Sequence, residues 1–227
     1  MKKHSLLILF ISTCLSLSAQ EREKPLHWKV ELAGALNNYD AWEIEASASF
    51  LPLPYAGISL GLLFTSPYHD VNIGGTSRDN QLRWQTTEEH VANHFFALRP
   101  GLVFNSPKLW LGQDKEYALY LSLSPGLTIP IPANRQFYID YFPNKPGTWT
   151  ALRTERVANE GGQRVFCHIR TALTLEIEGG LLISAGYTCS NFDLYAGSRN
   201  IVIEGKKPEL PRHSLMHAVS IGIGYRF

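Results

Sequence analysis

The sequence predicts an all-β protein, an eight-stranded antiparallel transmembrane up-and-down β-barrel. Three observations predict it: eight segments in which bulky apolar residues alternate with small or polar ones, connections that alternate between short and long, and an export signal at the N-terminus. Side chains alternate between the two faces of a strand, so each segment has one apolar and one polar face. An aliphatic face opposite Gly, Ser and Ala indicates lipid outside and a narrow polar lumen inside.

The N-terminus has the parts of a secretory signal peptide. Two lysines precede an apolar stretch over residues 6–17, which small residues follow around Ala19. The apolar stretch is too short to cross a bilayer as a helix. We therefore expect residues 1–19 to be a signal peptide and residues 20–227 to form the barrel. Lipid attachment at Cys14 is an alternative that fits less well, because a bulky threonine precedes it.

The composition argues against several other classes of protein. The 21 basic and 20 acidic residues leave a net charge of +1, so the sequence indicates no broad basic surface and no nucleic-acid partner. Beyond the signal peptide, no stretch has the ~20 apolar residues that a spanning helix needs. Only Cys167 and Cys189 remain after processing, which is too few for a disulfide framework.

The eight alternating segments each reach the ~9–11 residues with which a tilted strand crosses the hydrocarbon core. An even number of strands allows closure with both termini on one side, and closure removes the unpaired edges that lipid does not tolerate. The predicted strands are Trp28–Leu36, Trp42–Phe50, Ala56–Phe64, His94–Phe104, Tyr117–Ile131, Val165–Ile177, Leu181–Cys189 and His213–Phe227.

The last predicted strand shows the alternation most clearly. A soluble sheet also alternates, but its solvent-facing row usually carries large residues such as Lys and Glu. Here the apolar row consists of Leu215, Val219, Ile221, Ile223, Tyr225 and Phe227, and the opposite row includes Ser214, Ala218, Ser220, Gly222, Gly224 and Arg226. A soluble lipocalin-like barrel, with the apolar row turned inward, would have to expose the glycines and is disfavoured.

The connections predict which end of the barrel faces outward. Outer-membrane barrels have short periplasmic turns and long outer loops. The turns at one end are Leu51–Pro54, Asn105–Glu116 and Glu178–Gly180, and the loops at the other end are Asn37–Ala41, Tyr68–Asn93, Pro132–Arg164 and Ala196–Arg212. Aromatic residues near the strand ends predict girdles at both interfaces. They are Trp28, Phe50, Tyr55, Phe104, Tyr117, Tyr225 and Phe227 on the periplasmic side, and Tyr39, Trp42 and Tyr68 on the outer side.

Two features disturb the simple pattern. Pro100-Gly101 and Pro125-Gly126 lie inside adjacent predicted strands, and proline removes a donor from the strand ladder. We expect bulges or ladder breaks at both. The second feature is a slip in parity at Asn191, just after Cys189.

The chain resembles the small eight-stranded outer-membrane barrels of the OmpA/OmpX type. The resemblance rests on the signal peptide, the eight segments and the ending Gly224-Tyr225-Arg226-Phe227, and it covers essentially the whole mature chain. It implies residence in the outer membrane of a Gram-negative cell, contact with lipid and lipopolysaccharide, and delivery by the barrel-insertion machinery. Tyr225 and Phe227 resemble the assembly signal that such proteins offer to that machinery. No further domain is expected after Phe227.

The inward rows carry ionisable residues that must pair or stay hydrated, because burying an isolated charge is costly. An eight-stranded barrel has an interior that side chains just fill. We predict an internal ladder of ion pairs that plugs the lumen, with a narrow gated channel as the alternative. The residues are Lys29, Glu31, Glu43, Glu45, Arg99, His168, Arg170, Glu176 and Arg226.

Three other sets of residues resemble functional sites. His90 and His94 would lie about 13 Å apart on an extended strand, too far to share a metal ion. Thr188-Cys189-Ser190-Asn191 loosely resembles a segment of the eight-stranded lipid A deacylases, but Thr188 replaces the histidine that would activate the serine. Cys189 is expected opposite Ile169, which leaves Cys167 diagonal to it and both thiols free. The sequence indicates no metal and no cofactor.

The third outer loop is the best functional lead. Aromatic residues over Gln136–Phe142 and the segment Thr148–Leu152 flank a Pro/Gly turn, which predicts a projecting hairpin. The predicted interaction surface consists of Phe137, Tyr138, Tyr141, Phe142 and Trp149. The alternative is a lid over the barrel mouth. The sequence therefore predicts a non-enzymatic membrane protein that acts through its outer loops, alone or as a subunit of a surface assembly, with a lipid-modifying enzyme or a narrow channel as alternatives.

Overall fold

The computed structural model describes residues 28–68, 73–86, 94–112 and 114–227. The predicted signal peptide and His90 lie outside these residues. The strands are β1 (Trp28–Asn37), β2 (Ala41–Leu53), β3 (Ala56–Pro67), β4 (Gly74–Thr76), β5 (Leu82–Thr86), β6 (Phe95–Asn105), β7 (Leu109–Leu111), β8 (Tyr117–Ile131), β9 (Gln136–Pro143), β10 (Arg153–Ala158), β11 (Phe166–Ile177), β12 (Leu181–Ser190) and β13 (Met216–Arg226).

Eight of these strands form a closed antiparallel barrel, which confirms the predicted fold. The neighbour order is β1, β2, β3, β6, β8, β11, β12 and β13, and β13 pairs back onto β1. Because every barrel strand has two partners, the wall has no open edge. The predicted strand positions agree with the observed ones to within a few residues.

The alternation of side chains follows the prediction. In β13, Ile221 is 71% exposed on the outer wall, whereas its neighbour Ser220 is 6% exposed and points into the lumen. Burying Ser, Gly and Ala inside leaves room for the larger charged residues of other strands in a narrow interior. The outside of the barrel is consequently a continuous aliphatic surface of the kind that contacts lipid.

Aromatic residues bound this aliphatic surface at both ends. On three strands the outward-facing rings are eight residues apart: Trp42 and Phe50 on β2, Phe96 and Phe104 on β6, His217 and Tyr225 on β13. Eight residues at ~3.4 Å each cover about 27 Å along a strand, which a tilt of about 40° reduces to roughly 20 Å. That height approaches the apolar band of about 25 Å in outer-membrane barrels.

The connections at one end of the barrel are short. Residues 178–180 form the tight turn between β11 and β12, as predicted, and Cys189 is paired with Ile169. β2 runs on to Leu53, so its turn lies at Pro54 and Tyr55, and the register shifts between Phe50 and Leu53. The sequence did not predict β7, which pairs with the first residues of β8 and so extends the wall where β6 has ended.

The prolines of β6 and β8 interrupt the ladder without a bulge. The pairs Leu98–Ile129, Gly101–Gly126 and Phe104–Leu123 keep one constant register, with unpaired positions between them. The predicted ladder breaks are therefore confirmed. Gly101 and Gly126 face each other here, and a Cβ on either would meet the carbonyl of the proline on the opposite strand.

Gly126→Ala is expected to destabilise the barrel by about 1–3 kcal/mol, the usual cost of overpacking. The new methyl group would lie 2.7 Å from the carbonyl oxygen of Pro100 and 2.8 Å from the ring of His168. Urea unfolding in lipid vesicles measures the loss. Gly34→Ala is the control, because a Cβ there has nothing within 4 Å. Equal stability of the two variants would show that the strands do not approach this closely.

Above the barrel, the long outer connections form a second sheet. It is antiparallel with the order β10, β9, β5, β4, and it joins the second and third outer loops. One face packs onto residues of the fourth outer loop. Its apolar core consists of Ile73, Trp84, Phe137, Ile139, Tyr141, Ile201 and Ile203. We call this sheet, with residues 144–152 and 196–212, the head.

A second apolar cluster, which we call the mouth cluster, closes the outer end of the lumen. Inward-facing residues from the first positions of four barrel strands meet residues of the loops above them. The cluster consists of Tyr39, Ala41, Phe95, Phe166, Phe192, Leu194, Tyr195 and Met216. Leu210 packs against both this cluster and the head core, so the head is seated on a filled barrel.

Two predictions for the outer end need correction. Tyr39 was expected in the outer girdle but is 5% exposed in the mouth cluster, because the first loop folds inward. The hairpin was predicted to pair Gln136–Phe142 with Thr148–Leu152. β9 pairs instead with Arg153–Ala158, so the connection is longer than expected.

Candidate functional site

Arg99 lies at the centre of the lumen between two glutamates. Its guanidinium lies 2.8 Å from a carboxylate oxygen of Glu45 and 3.9 Å from one of Glu43. The side chain of Asn37 donates to Glu43 at 2.7 Å. Arg99 is buried, and its charge is balanced by the two carboxylates, as a buried charge requires.

A second group forms around Glu31. One of its oxygens lies 2.6 Å from Arg170 and the other 2.6 Å from Lys29. Ser184 donates to the same carboxylate at 3.1 Å. Arg170 also approaches Glu45 at 4.0 Å, which connects this group to that of Arg99.

The end of the lumen opposite the head is closed by a third group around Glu176. Arg226 and Lys108 each lie 3.1 Å from its carboxylate. Lys108 comes from the connection between β6 and β7, outside the predicted strands, so strand parity gave no signal for it. The guanidinium of Arg226 also lies 5.6 Å from the ring of Tyr120.

The nine residues predicted for the lumen ladder all lie on the lumen side of the wall. Eight of them form ion pairs: the groups around Arg99 and Glu31 are connected through Arg170, and the group around Glu176 is separate. His168, the ninth, is hydrogen-bonded through Nδ1 to the hydroxyl of Thr128 at 3.0 Å. A polar cavity of about 50 Å³ remains beside Arg99, His168 and Arg170, enough for a few water molecules. With the mouth cluster above and the Glu176 group below, this arrangement does not favour the channel alternative.

The Ser190 segment does not have the geometry of the lipid-modifying alternative. Ser190 is 2% exposed and points inward, whereas a lipid substrate would approach from the outer wall. Its hydroxyl donates to the carbonyl of Cys167 at 2.8 Å and accepts from the N–H of Phe192 at 3.0 Å. These bonds end β12 and explain the parity slip at Asn191. Cys167 and Cys189 are both free thiols.

The predicted loop surface is only partly exposed. Phe137, Tyr141 and Phe142 are buried, so the prediction that they form an interaction surface needs correction. The alternation in β9 sends Phe137 and Tyr141 into the head core. Tyr138 is half-buried on the opposite face, and Trp149 is 70% exposed.

Trp149 is held in place by Arg83. The guanidinium of Arg83 lies 4.5 Å from the centre of the Trp149 ring and 5.6 Å from that of Phe142. It also donates to the carbonyl of Thr148 at 3.2 Å. A cation stacked on one ring face fixes the indole and leaves the other face open.

An ion pair between Asp193 and Arg199 fastens the fourth loop over the mouth. Arg199 donates to both oxygens of Asp193 and to the carbonyls of Leu210 and Pro211. The hydrogen-bonded Asp193 carboxylate raises the pKa of Arg199. Nearby, Arg135 stacks on Phe95, and its burial lowers its pKa to about 10.

A cleft of about 440 Å³ opens beside β10 on the head. Arg153 lies 4.3 Å over the ring of Tyr141, 3.7 Å from Glu204 and 4.0 Å from Glu155. Burial and the neighbouring Glu155 raise the pKa of Tyr141 to about 12, so its hydroxyl stays protonated. The cleft is lined by both signs of charge.

Within the described ranges, no group of three His, Cys, Asp or Glu side chains is placed to hold a metal ion. The same residues contain no helix that is long and apolar enough to cross a bilayer.

No protein-family model and no curated protein matches the chain. Among solved structures, it is similar to a major outer membrane protein from Thermus thermophilus, with 11% identity and a TM-score of 0.46 over 88% of this chain and 98% of that one. It is similar to the N-terminal β-barrel domain of Pseudomonas aeruginosa OprF, with 11% identity and a TM-score of 0.41 over 88% and 96%. It is also similar to Neisserial surface protein A, with 10% identity and a TM-score of 0.42 over 88% and 96%.

The closed wall, the aliphatic exterior and the ion-filled lumen define an eight-stranded β-barrel of the outer-membrane type. What distinguishes this chain within that fold is the head, in which the outer loops form a sheet with a core of its own.

Proposed function

We propose that this protein is a non-enzymatic outer-membrane barrel that acts by recognition through its head. One observation carries the proposal: the outer connections fold into a four-stranded sheet with an apolar core, above a lumen filled by ion pairs. Ordering a loop costs about 1–2 kcal/mol of backbone entropy per residue, which the head core offsets. A fixed surface outside the membrane favours binding over conduction.

The proposal includes how the protein reaches the membrane. The mature chain begins after Ala19 in a Gram-negative cell and is inserted by machinery that reads Tyr225 and Phe227. These two rings stack at 6.2 Å on the outer wall, accessible to a partner during assembly. Lipid and lipopolysaccharide then surround the aliphatic wall, with the head on the cell surface.

The recognition surface is centred on Trp149. Outside the lipid-facing wall, Trp149 and Leu152 are the most exposed large apolar side chains of the described head, at 70% and 63%. Tryptophan is enriched among the residues that carry most of the binding energy at protein interfaces. A neighbouring outer-membrane protein with an apolar pocket is the partner that this surface fits.

Trp149→Ala is expected to lower capture of that neighbour about thirtyfold, the equivalent of ~2 kcal/mol for an interface tryptophan. The capture is measured as the yield of covalent adducts formed by a photo-crosslinking amino acid at position 152 in intact cells. The barrel should keep its stability to within about 0.5 kcal/mol, because Trp149 lies on the surface.

Thr150→Ala is the matched control on the same exposed segment, and it should leave the adducts unchanged. If Trp149→Ala also leaves the adducts unchanged, or if no protein adduct forms at Leu152 in any condition, recognition through this surface is disproved.

A further inference from the structure

β10 is an exposed edge strand of the head. It pairs with β9 on one side, and no described strand pairs with it on the other. Five of its six residues are exposed. A free edge presents a row of N–H and C=O groups that can pair with another strand.

Alternate residues of β10 direct their backbone groups to this free edge. The N–H of Asn159 donates to the carbonyl of Arg135 at 2.9 Å, in the same register that sets Arg153 opposite Tyr141. Antiparallel pairs alternate between hydrogen-bonded and non-hydrogen-bonded. The residues that bond to β9 are thus Arg153, Glu155 and Val157, and those that point outward are Thr154, Arg156 and Ala158.

The charges of β10 favour one register for pairing with a second copy. A two-fold axis at Glu155 or Arg156 sets like charges directly opposite each other, which is destabilising. An axis at Val157 brings no opposite charges together, and axes nearer the strand ends leave most of the strand unpaired. An axis at Thr154 sets Arg153 of each copy opposite Glu155 of the other, which gives two ion pairs.

We propose that two copies of this chain associate by antiparallel pairing of β10 about a two-fold axis at Thr154. The two heads then share one eight-stranded sheet. Such an interface is self-complementary, as closed two-fold assemblies require. The proposal requires a folded, accessible head and does not depend on a partner at Trp149.

The side chains of β10 are compatible with pairing to a second copy of the chain. Arg153 and Glu155 are more than half exposed, and the contacts of Arg153 with Glu155 and Glu204 are long, at 4.0 and 3.7 Å. Both side chains also contact Tyr141, and each keeps more than half of its surface exposed to a second copy.

Cysteine cross-linking in membranes tests the register. In a background in which Cys167 and Cys189 are replaced by Ala, Thr154→Cys places two thiols on the axis. The Cα atoms of a hydrogen-bonded pair lie about 5.5 Å apart, within the range for a disulfide. Oxidation should convert most of the protein to a covalent dimer, at least tenfold more than for Arg156→Cys, whose Cα atoms would be offset by about 13 Å along the strands.

A charge swap tests the selection of that register. Arg153→Glu should lower the yield of the Thr154→Cys dimer at least tenfold, and the double variant Arg153→Glu with Glu155→Arg should restore it. Equal cross-linking of Thr154→Cys and Arg156→Cys would indicate random collision and overturn the proposal. So would a monomer throughout, or cross-links to another protein only. Loss of the dimer with intact capture at Leu152 would refute self-pairing and leave the proposed function standing.

Discussion

Arg99→Met is expected to destabilise the barrel by about 3–5 kcal/mol, the cost of leaving a buried charge without its partner. Arg99 is 4% exposed and lies between Glu43 and Glu45 in the middle of the lumen. Without it, Glu43 keeps the hydrogen bond from Asn37, and Glu45 keeps the contact with Arg170 at 4.0 Å. Urea unfolding in lipid vesicles, followed by tryptophan fluorescence, measures the change.

A second substitution separates charge from packing. Arg99→Met with Glu45→Gln removes the closer carboxylate charge and should recover at least half of the lost stability, because paired neutralisation costs less than breaking one partner. Arg156→Met, on the exposed head, should change stability by less than about 0.5 kcal/mol. If the Arg99 and Arg156 variants unfold at the same urea concentration, the lumen charges contribute nothing to stability.

The barrel was predictable because lipid and a narrow lumen impose one rule on every wall residue. Each strand must alternate with a period of two, and a slip by one residue would turn all its side chains to the wrong side. The pairing of Cys189 with Ile169 follows from that rule and the short turn at residues 178–180. The same parity placed Glu31, Arg99 and the other ladder residues inside.

The alternation of side chains predicts nothing about residues outside the barrel wall. Lys108 enters the lumen from a connection, and no periodicity marks it as the partner of Glu176. Phe166 and Met216 lie on the inward rows, but their role in closing the mouth depends on loop residues such as Tyr195. Those contacts depend on how the loops fold back, which local sequence does not specify.

The head contains one strand whose buried face is visible in the sequence and one whose sequence carries no such pattern. Phe137, Ile139 and Tyr141 alternate within β9, a pattern typical of a strand with one buried face, and they pack in the head core and do not form the predicted interaction surface. Their partners come from distant loops, as Trp84 and Ile201 do. β10 was missed because an exposed charged edge strand has no apolar alternation.

Ile221→Arg is expected to destabilise the barrel by about 2–4 kcal/mol, the cost of a basic residue on the lipid face at the bilayer midplane. Ile221 is 71% exposed and lies midway between His217 and Tyr225, the outward rings near the two ends of β13. In a soluble protein, such an exposed position would accept arginine at little cost. The loss of stability in Ile221→Arg therefore shows whether lipid or water surrounds the wall. Urea unfolding in vesicles measures this loss as a change in the free energy of unfolding.

Leu215→Arg is the control at the outer rim, next to the first residue of β13, where a basic residue should cost only about 0–1 kcal/mol. Depth dependence is the essential result, because a general effect of charge on β13 would weaken both variants equally. Ser220 lies beside Ile221 but points into the lumen, so a bilayer-confined reagent should label a cysteine at position 221 and not one at 220. Labelling at 220 instead, with no penalty for Ile221→Arg, would mean that the aliphatic rows do not contact lipid.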